Sequence, residues 1–115
     1  MKTAPHAEDV FDRLFATLAA RKNADPKISY TAKLFSEGPD AILKKIGEES
    51  AELILASKDG ARDAITHEAA DLLFHLFALL AFHGLSLEDA RRELARREGV
   101  SGIEEKAARN KKPAE

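Results

Sequence analysis

The chain has 115 residues, no cysteine and a formal net charge of −2, which fits one domain, excludes disulfides and thiolate metal sites, and lacks the basic excess of nucleic-acid binders. Its N-terminus, "MKTAPHAEDVFDRL", has no continuous apolar segment of secretory type. The longest apolar run, 72–82, is interrupted by His75 and is shorter than the ~20 residues that cross a bilayer, so a soluble cytoplasmic protein with no nucleic-acid or membrane partner is expected.

Val10, Leu14 and Leu18, with Phe11 and Phe15 beside them, repeat at helical spacing and predict a first helix over about 7–22. "NADPKISYTAKLFSEGPD" reads as a connector punctuated by Pro26, Gly38 and Pro39. A second helix is predicted over about 39–58, with Pro39 acceptable in its first turn. "KDG" at 58–60 is a turn signal. A third helix spans about 61–83 and stops at Gly84. Ser86 is a candidate N-cap for a fourth helix over about 86–98, with Asp89 only a weak substitute for the usual capping-box glutamate. "SGIEEKAAR" predicts a short fifth helix after Ser101, and about 1–6 and 110–115 read as tails. Abundant Ala and Leu with few β-branched residues argue for an all-α fold. The expectation is one domain over 1–115: a small bundle of four main helices plus a short C-terminal helix, its shallow core completed by dimerisation.

The second helix poses a question. At 100° per residue, Ile42, Ile46, Leu53 and Ala56 share a face, and Glu49 falls in the middle of it. Glu52 sits on its edge, with Glu48 further round. An ionised carboxylate facing a core costs several kcal/mol unless compensated. The third helix is apolar almost all round between Ala69 and Phe82 except at Asp71 and His75. Glu68, Asp71 and His75 align along one strip.

Folding these two helices back about Gly60 pairs their acids. Glu52 lies eight residues before Gly60 and Glu68 eight after; Glu49 lies eleven before and Asp71 eleven after. At ~1.5 Å rise per residue the two pairs sit at matching heights, about 12 and 16 Å from the turn. Four carboxylates that close would repel one another, and divalent cations remove the problem. Oxygen ligands with no cysteine select Mg²⁺, or Mn²⁺, over Zn²⁺. The plain alternative is that each i,i+3 acid pair is solvated or paired with Lys or Arg. Two pairs placed symmetrically about a turn, beside apolar stripes, argue against that alternative. His75 reads as a hydrogen-bonded core histidine, with metal ligand or general base as its functional alternatives. His67 and His83 lie near helix ends and suggest nothing further.

Glu48-Glu49-x-x-Glu52, then fifteen residues, then Glu68-x-x-Asp71 resembles the motif of the all-α nucleoside triphosphate pyrophosphohydrolases, the MazG-like superfamily. "SYTAKLF" (29–35), "KKIGEESAEL" (44–53), "HEAADLLFHL" (67–76), "GLSLEDARRELARRE" (84–98) and "SGIEEKAAR" (101–109) are similar to the phosphoribosyl-ATP pyrophosphohydrolases of histidine biosynthesis. That resemblance implies hydrolysis of phosphoribosyl-ATP to phosphoribosyl-AMP and pyrophosphate with Mg²⁺, in a helical homodimer or higher homo-oligomer. Some relatives carry a fused cyclohydrolase domain. This chain has neither room for it nor cysteines for its zinc site, so only the pyrophosphohydrolase step is expected.

Glu49, Glu52, Glu68 and Asp71 are the expected metal ligands. Glu48 and Glu49 are the expected catalytic acids, although Glu48 points away from the strip. It could bind a second metal, orient a water or pair with a surface lysine. A polyanionic substrate calls for cations around the acidic centre, and Lys33, Lys44, Lys45, Lys106 and Arg109 are candidates, each with a plain solvated alternative. Tyr30 and Thr31 lie in the connector, where binding groups often reside. Three rivals stand beside this reading. One is a house-cleaning nucleoside triphosphate pyrophosphohydrolase with the same metal site. Another is a di-iron bundle, disfavoured because no Glu is followed by His at the third position. The last is a non-catalytic dimerisation module whose acids pair with Lys or Arg.

Overall fold

A computed structural model of the chain describes residues 9–99 and 102–110, Glu105 by its backbone alone. Among these residues there are six helices and no strand: α1 Val10–Arg21, α2 Tyr30–Ser36, α3 Pro39–Asp59, α4 Arg62–Phe82, α5 Leu87–Arg96 and α6 Gly102–Asn110. The all-α expectation holds, and the boundaries follow local chemistry. Asp9 caps α1 by accepting from the Phe11 and Asp12 amides; the expected start at 7–8 and the expected tails, about 1–6 and 110–115, lie outside the described residues except for Asn110, which belongs to α6. Pro39 opens α3. Gly60 closes it at φ 70°, in the left-handed region that favours glycine. With only Gly60 and Ala61 between them, α3 and α4 form a hairpin and the most extensive helix pairing of the fold.

The connector expectation for 23–38 needs correction, because it contains α2. Ser29 caps that helix by accepting from the Ala32 amide at 3.1 Å, and Ala32, Leu34 and Phe35 are buried. Seven residues are too few to show a periodic pattern, and so short a helix is held by packing more than by propensity. The capping box at α5 is also fuller than expected. Ser86 Oγ accepts from the Asp89 amide at 3.3 Å while Asp89 Oδ2 accepts from the Ser86 amide at 2.8 Å. The Ser86 hydrogen bonds hold the Asp89 carboxyl below its ordinary range.

The core joins five helices or their ends: Leu18, Leu34, Phe35, Ile42, Phe77, Ala78, Ala81 and Leu87. Phe11 and Phe15 meet Phe77 edge-on at 5.6 and 6.4 Å, laying α1 along α4. Lys22 Nζ donates to the carbonyls of Ala81 and Phe82 at 2.9 and 3.1 Å, so the end of α1 supplies the cation that the C-terminus of α4 favours. Arg91 Nη2 bridges both carboxylate oxygens of Asp12 at 3.0 Å and ties α5 to α1. Apart from Arg91, the "RRELARR" stretch is largely the solvated face expected of it. Glu93 accepts from Arg96 and Arg97 at 2.8 and 3.0 Å, and these contacts pull its carboxyl down to about 2.

Candidate active site

Glu49 lies where the helical wheel puts it. Ile42 and Ala56 are buried on the inner face of α3, and Glu49 is buried with them at 8% exposure. Its compensation comes from α4. His75 Nδ1 stands 2.7 Å from Glu49 Oε1 and 3.1 Å from the carbonyl oxygen of Asp71. Both neighbours of Nδ1 are acceptors, so that nitrogen carries the proton and donates. On the far side of the ring, Nε2 lies 3.3 Å from the Tyr30 hydroxyl. His75 is therefore the hydrogen-bonded core residue that its place on an apolar helix suggests. Its partners, Glu49 on α3 and Tyr30 on α2, were not assigned from the sequence. The one available signal was the position of His75 a turn beyond Asp71 on the acidic strip.

Nearer the Gly60 turn the expected pairing of heights is realised. Glu52 and Glu68 stand close enough for each carboxyl to act on the other. Loss of solvent around Glu68 raises its pKa above the ordinary 4.5, and the Glu52 hydrogen bond and the charges of Glu52 and Asp71 add to the rise; His67 opposes it. Glu68 Oε1 is buried without a hydrogen-bond partner among the described residues. Asp71 Oδ2 accepts from His67 Nε2 at 3.2 Å, one turn back on α4, so His67 is less bland than its place near a helix end suggests. Among the described residues, none of Glu48, Glu49, Glu52, Glu68 and Asp71 pairs with Lys or Arg.

The four carboxylates do not converge on one point. Among the described residues no three His, Asp or Glu side chains close around a common position. Glu49 is drawn onto His75, which satisfies its buried charge directly, while Glu52, Glu68 and Asp71 crowd one another nearby. This donor set still suits a divalent cation. It is all hard oxygen, one oxygen is buried and unpartnered among the described residues, and desolvation together with the neighbouring acids raises the pKa of Glu68. Glu48 is exposed on the outer side of α3. Lys33 and Lys44 are exposed, Lys45 and Thr31 half-buried, and Lys106 and Arg109 exposed on α6. Among the described residues none of these cations contacts the acidic groups.

A helical hairpin that brings Glu-Glu-x-x-Glu on one arm against Glu-x-x-Asp on the other, inside an all-α frame, defines the class of the all-α pyrophosphohydrolases. The sequence profile described as phosphoribosyl-ATP pyrophosphohydrolase matches residues 11–98, a span that takes in α1 to α5 and every one of these acids. The chain belongs to that family. It is 62% identical over 104 residues to a protein of Dechloromonas aromatica named phosphoribosyl-ATP pyrophosphatase, covering 90% of this chain and 96% of the relative. Proteins of the same name from Nitrosospira multiformis and Bordetella parapertussis are 59% and 52% identical, covering 88% and 95% of this chain and 84% and 97% of theirs.

The raised pKa of Glu68 has a direct consequence. A carboxyl whose folded pKa lies above its unfolded value binds protons more tightly in the native state. Its favourable contribution is present below about pH 4.5 and is lost as the pH rises through the folded value. Glu68→Gln should therefore be more stable than the unaltered chain at neutral pH in EDTA. The advantage should shrink as the pH falls toward 4.5. Urea melts at pH 7.5 and at successively lower pH check this; an advantage that grows on acidification would contradict the crowded-acid geometry.

Proposed function

We propose that the protein hydrolyses phosphoribosyl-ATP to phosphoribosyl-AMP and pyrophosphate, the pyrophosphohydrolase step of histidine biosynthesis, as a cytoplasmic Mg²⁺-dependent enzyme. The carrying observation is the set of acids on the α3–α4 hairpin, free of Lys and Arg partners among the described residues, in a chain of this family. Glu52, Glu68 and Asp71, with Glu49 beside them, would hold Mg²⁺ or Mn²⁺. When bound, such an ion neutralises polyphosphate charge and lowers the pKa of coordinated water.

The chain's own groups do the rest. The unpartnered Oε1 of Glu68 and the crowded Glu52 and Asp71 offer negative charge in a partly desolvated seam, where electrostatic effects exceed those in water. Glu49 contributes through the oxygen not engaged by His75. Glu48, exposed one residue earlier on α3, would serve by orienting a water. Lys33, Lys44 and Lys45 lie on α2 and α3, the elements that also carry Tyr30 and the acids, and supply positive charge toward the triphosphate. Lys106 and Arg109 on α6 are further phosphate contacts.

A homodimer completes this reading. The chain leaves Ile54 and Leu55 of α3 at 61% and 64% exposure, and Leu73 and Leu76 of α4 are also exposed. Helix α4 is long and apolar enough to cross a membrane by length and composition, yet most of it is not buried within the chain. Because α4 also carries Glu68, Asp71 and His75 and packs along α3 and α1, a second copy is the better cover for that surface than lipid. Light scattering at micromolar concentration should give twice the chain mass; a monomer with no concentration dependence would contradict the dimer.

The enzyme reading is tested by pyrophosphate release. Phosphoribosyl-ATP should be turned over with Mg²⁺ and not in EDTA, far faster than a panel of free nucleoside triphosphates. Glu49→Gln should cut the rate by about 100-fold or more with the fold retained. Preference for the free triphosphates would favour the house-cleaning alternative, and unchanged release in Glu49→Gln would remove the acid cluster from the chemistry.

A further inference from the structure

His75 is not among the acids of the motif, yet it makes the most deeply buried polar contact at the site. Its side chain is 7% exposed and that of Glu49 11%. The ring is gripped on several sides. Phe74 lies edge-on at 5.0 Å and Tyr30 edge-on at 6.5 Å, while Nδ1 holds Glu49 Oε1 at 2.7 Å and Nε2 faces the Tyr30 hydroxyl at 3.3 Å. Tyr30, Glu49 and His75 come from α2, α3 and α4 respectively, so this short chain of hydrogen bonds locks three helices together at the level of one carboxylate.

We infer that His75 is a positioning residue for the active site: its Nδ1–H pins one oxygen of Glu49 and leaves only the other free to serve the cation, while Tyr30 fixes the ring. This rests on the reading above in which Glu49 serves the metal. The hydrogen-bond inventory sets the direction. Glu49 Oε1 and the Asp71 carbonyl can only accept, so Nδ1 bears the proton. In the neutral ring Nε2 is then bare and placed to accept from the Tyr30 hydroxyl. A buried polar pair of this kind is a poor source of stability, because apolar residues of similar volume usually do as well. What it does supply is orientation. A glutamate side chain left free at this position would sample several rotamers, and each metal or substrate encounter would have to select one. Hydrogen-bonding partners of ligating carboxylates hold ligand geometry, and their loss typically weakens metal binding by about 10- to 100-fold.

The test uses the full chain and three variants. In metal-free protein, long-range ¹H–¹⁵N spectra of the His75 ring should show a protonated Nδ1 and a bare Nε2; the opposite tautomer would overturn the inference by itself. Mg²⁺ binding is then followed by calorimetry and by the rise in melting temperature that a native-state ligand causes. His75→Asn puts an amide nitrogen near the place of Nδ1 and should keep the Mg²⁺ affinity within about threefold. His75→Gln and His75→Leu lack that donor and should weaken it by about tenfold or more. His75→Gln keeps the test open if the leucine variant fails to fold. Unaltered Mg²⁺ affinity in His75→Gln or His75→Leu would overturn the positioning role alone. Absence of any Mg²⁺ response in the unaltered chain would overturn the metal reading and the inference with it.

Discussion

The governing constraint is the placing of acids along an apolar seam with no lysine or arginine among the described residues to meet them. A single buried carboxylate costs several kcal/mol if left alone. This chain resolves the cost in two ways over one and a half turns of helix. Glu49 is given a histidine. Glu52, Glu68 and Asp71 are left near one another, with His67 on Asp71, and desolvation followed by the neighbouring acids raises the pKa of Glu68. A protein selected for stability alone would have placed Leu or Lys there. On the proposed reading, a divalent cation would supply the missing charge.

The rest of the fold serves the hairpin that creates this arrangement. Gly60 adopts the left-handed conformation that lets α3 end and α4 begin within two residues, which brings acids equally far from the turn to the same level. Lys22 steadies the distal end of α4, α1 packs its phenylalanines on Phe77, and α2 delivers Tyr30 to His75. The core is small for so much framework, and large aliphatic side chains of α3 and α4 remain outside it. The same two helices thus carry the acids and leave large apolar side chains exposed.

Much of this was legible in the residues, for identifiable reasons. Helices of twelve to twenty-one residues repeat their apolar positions often enough to be read, so α1, α3 and α4 matched expectation within a few residues. Glycine and proline marked the turn at Gly60 and the start at Pro39. The seven-residue α2 offers under two turns of pattern, and its cap, Ser29, is an ordinary serine until Leu34 and Phe35 are seen to be buried. Wheel geometry put Glu49 inside and paired Glu52 with Glu68. It could not show that Glu49 would turn onto His75, because that choice depends on the tilt of α4 against α3. Nor could it show the His67 contact to Asp71.

The most direct test of the account is the position of the cation itself. In crystals grown with Mn²⁺ and without substrate, anomalous scattering should place an ion in the α3–α4 seam, with carboxylate oxygens of Glu52, Glu68 and Asp71 moved onto it and Glu49 Oε1 still on His75. An ion found elsewhere, or those acids occupied by arginines or lysines of a second subunit with no manganese between the helices, would contradict it.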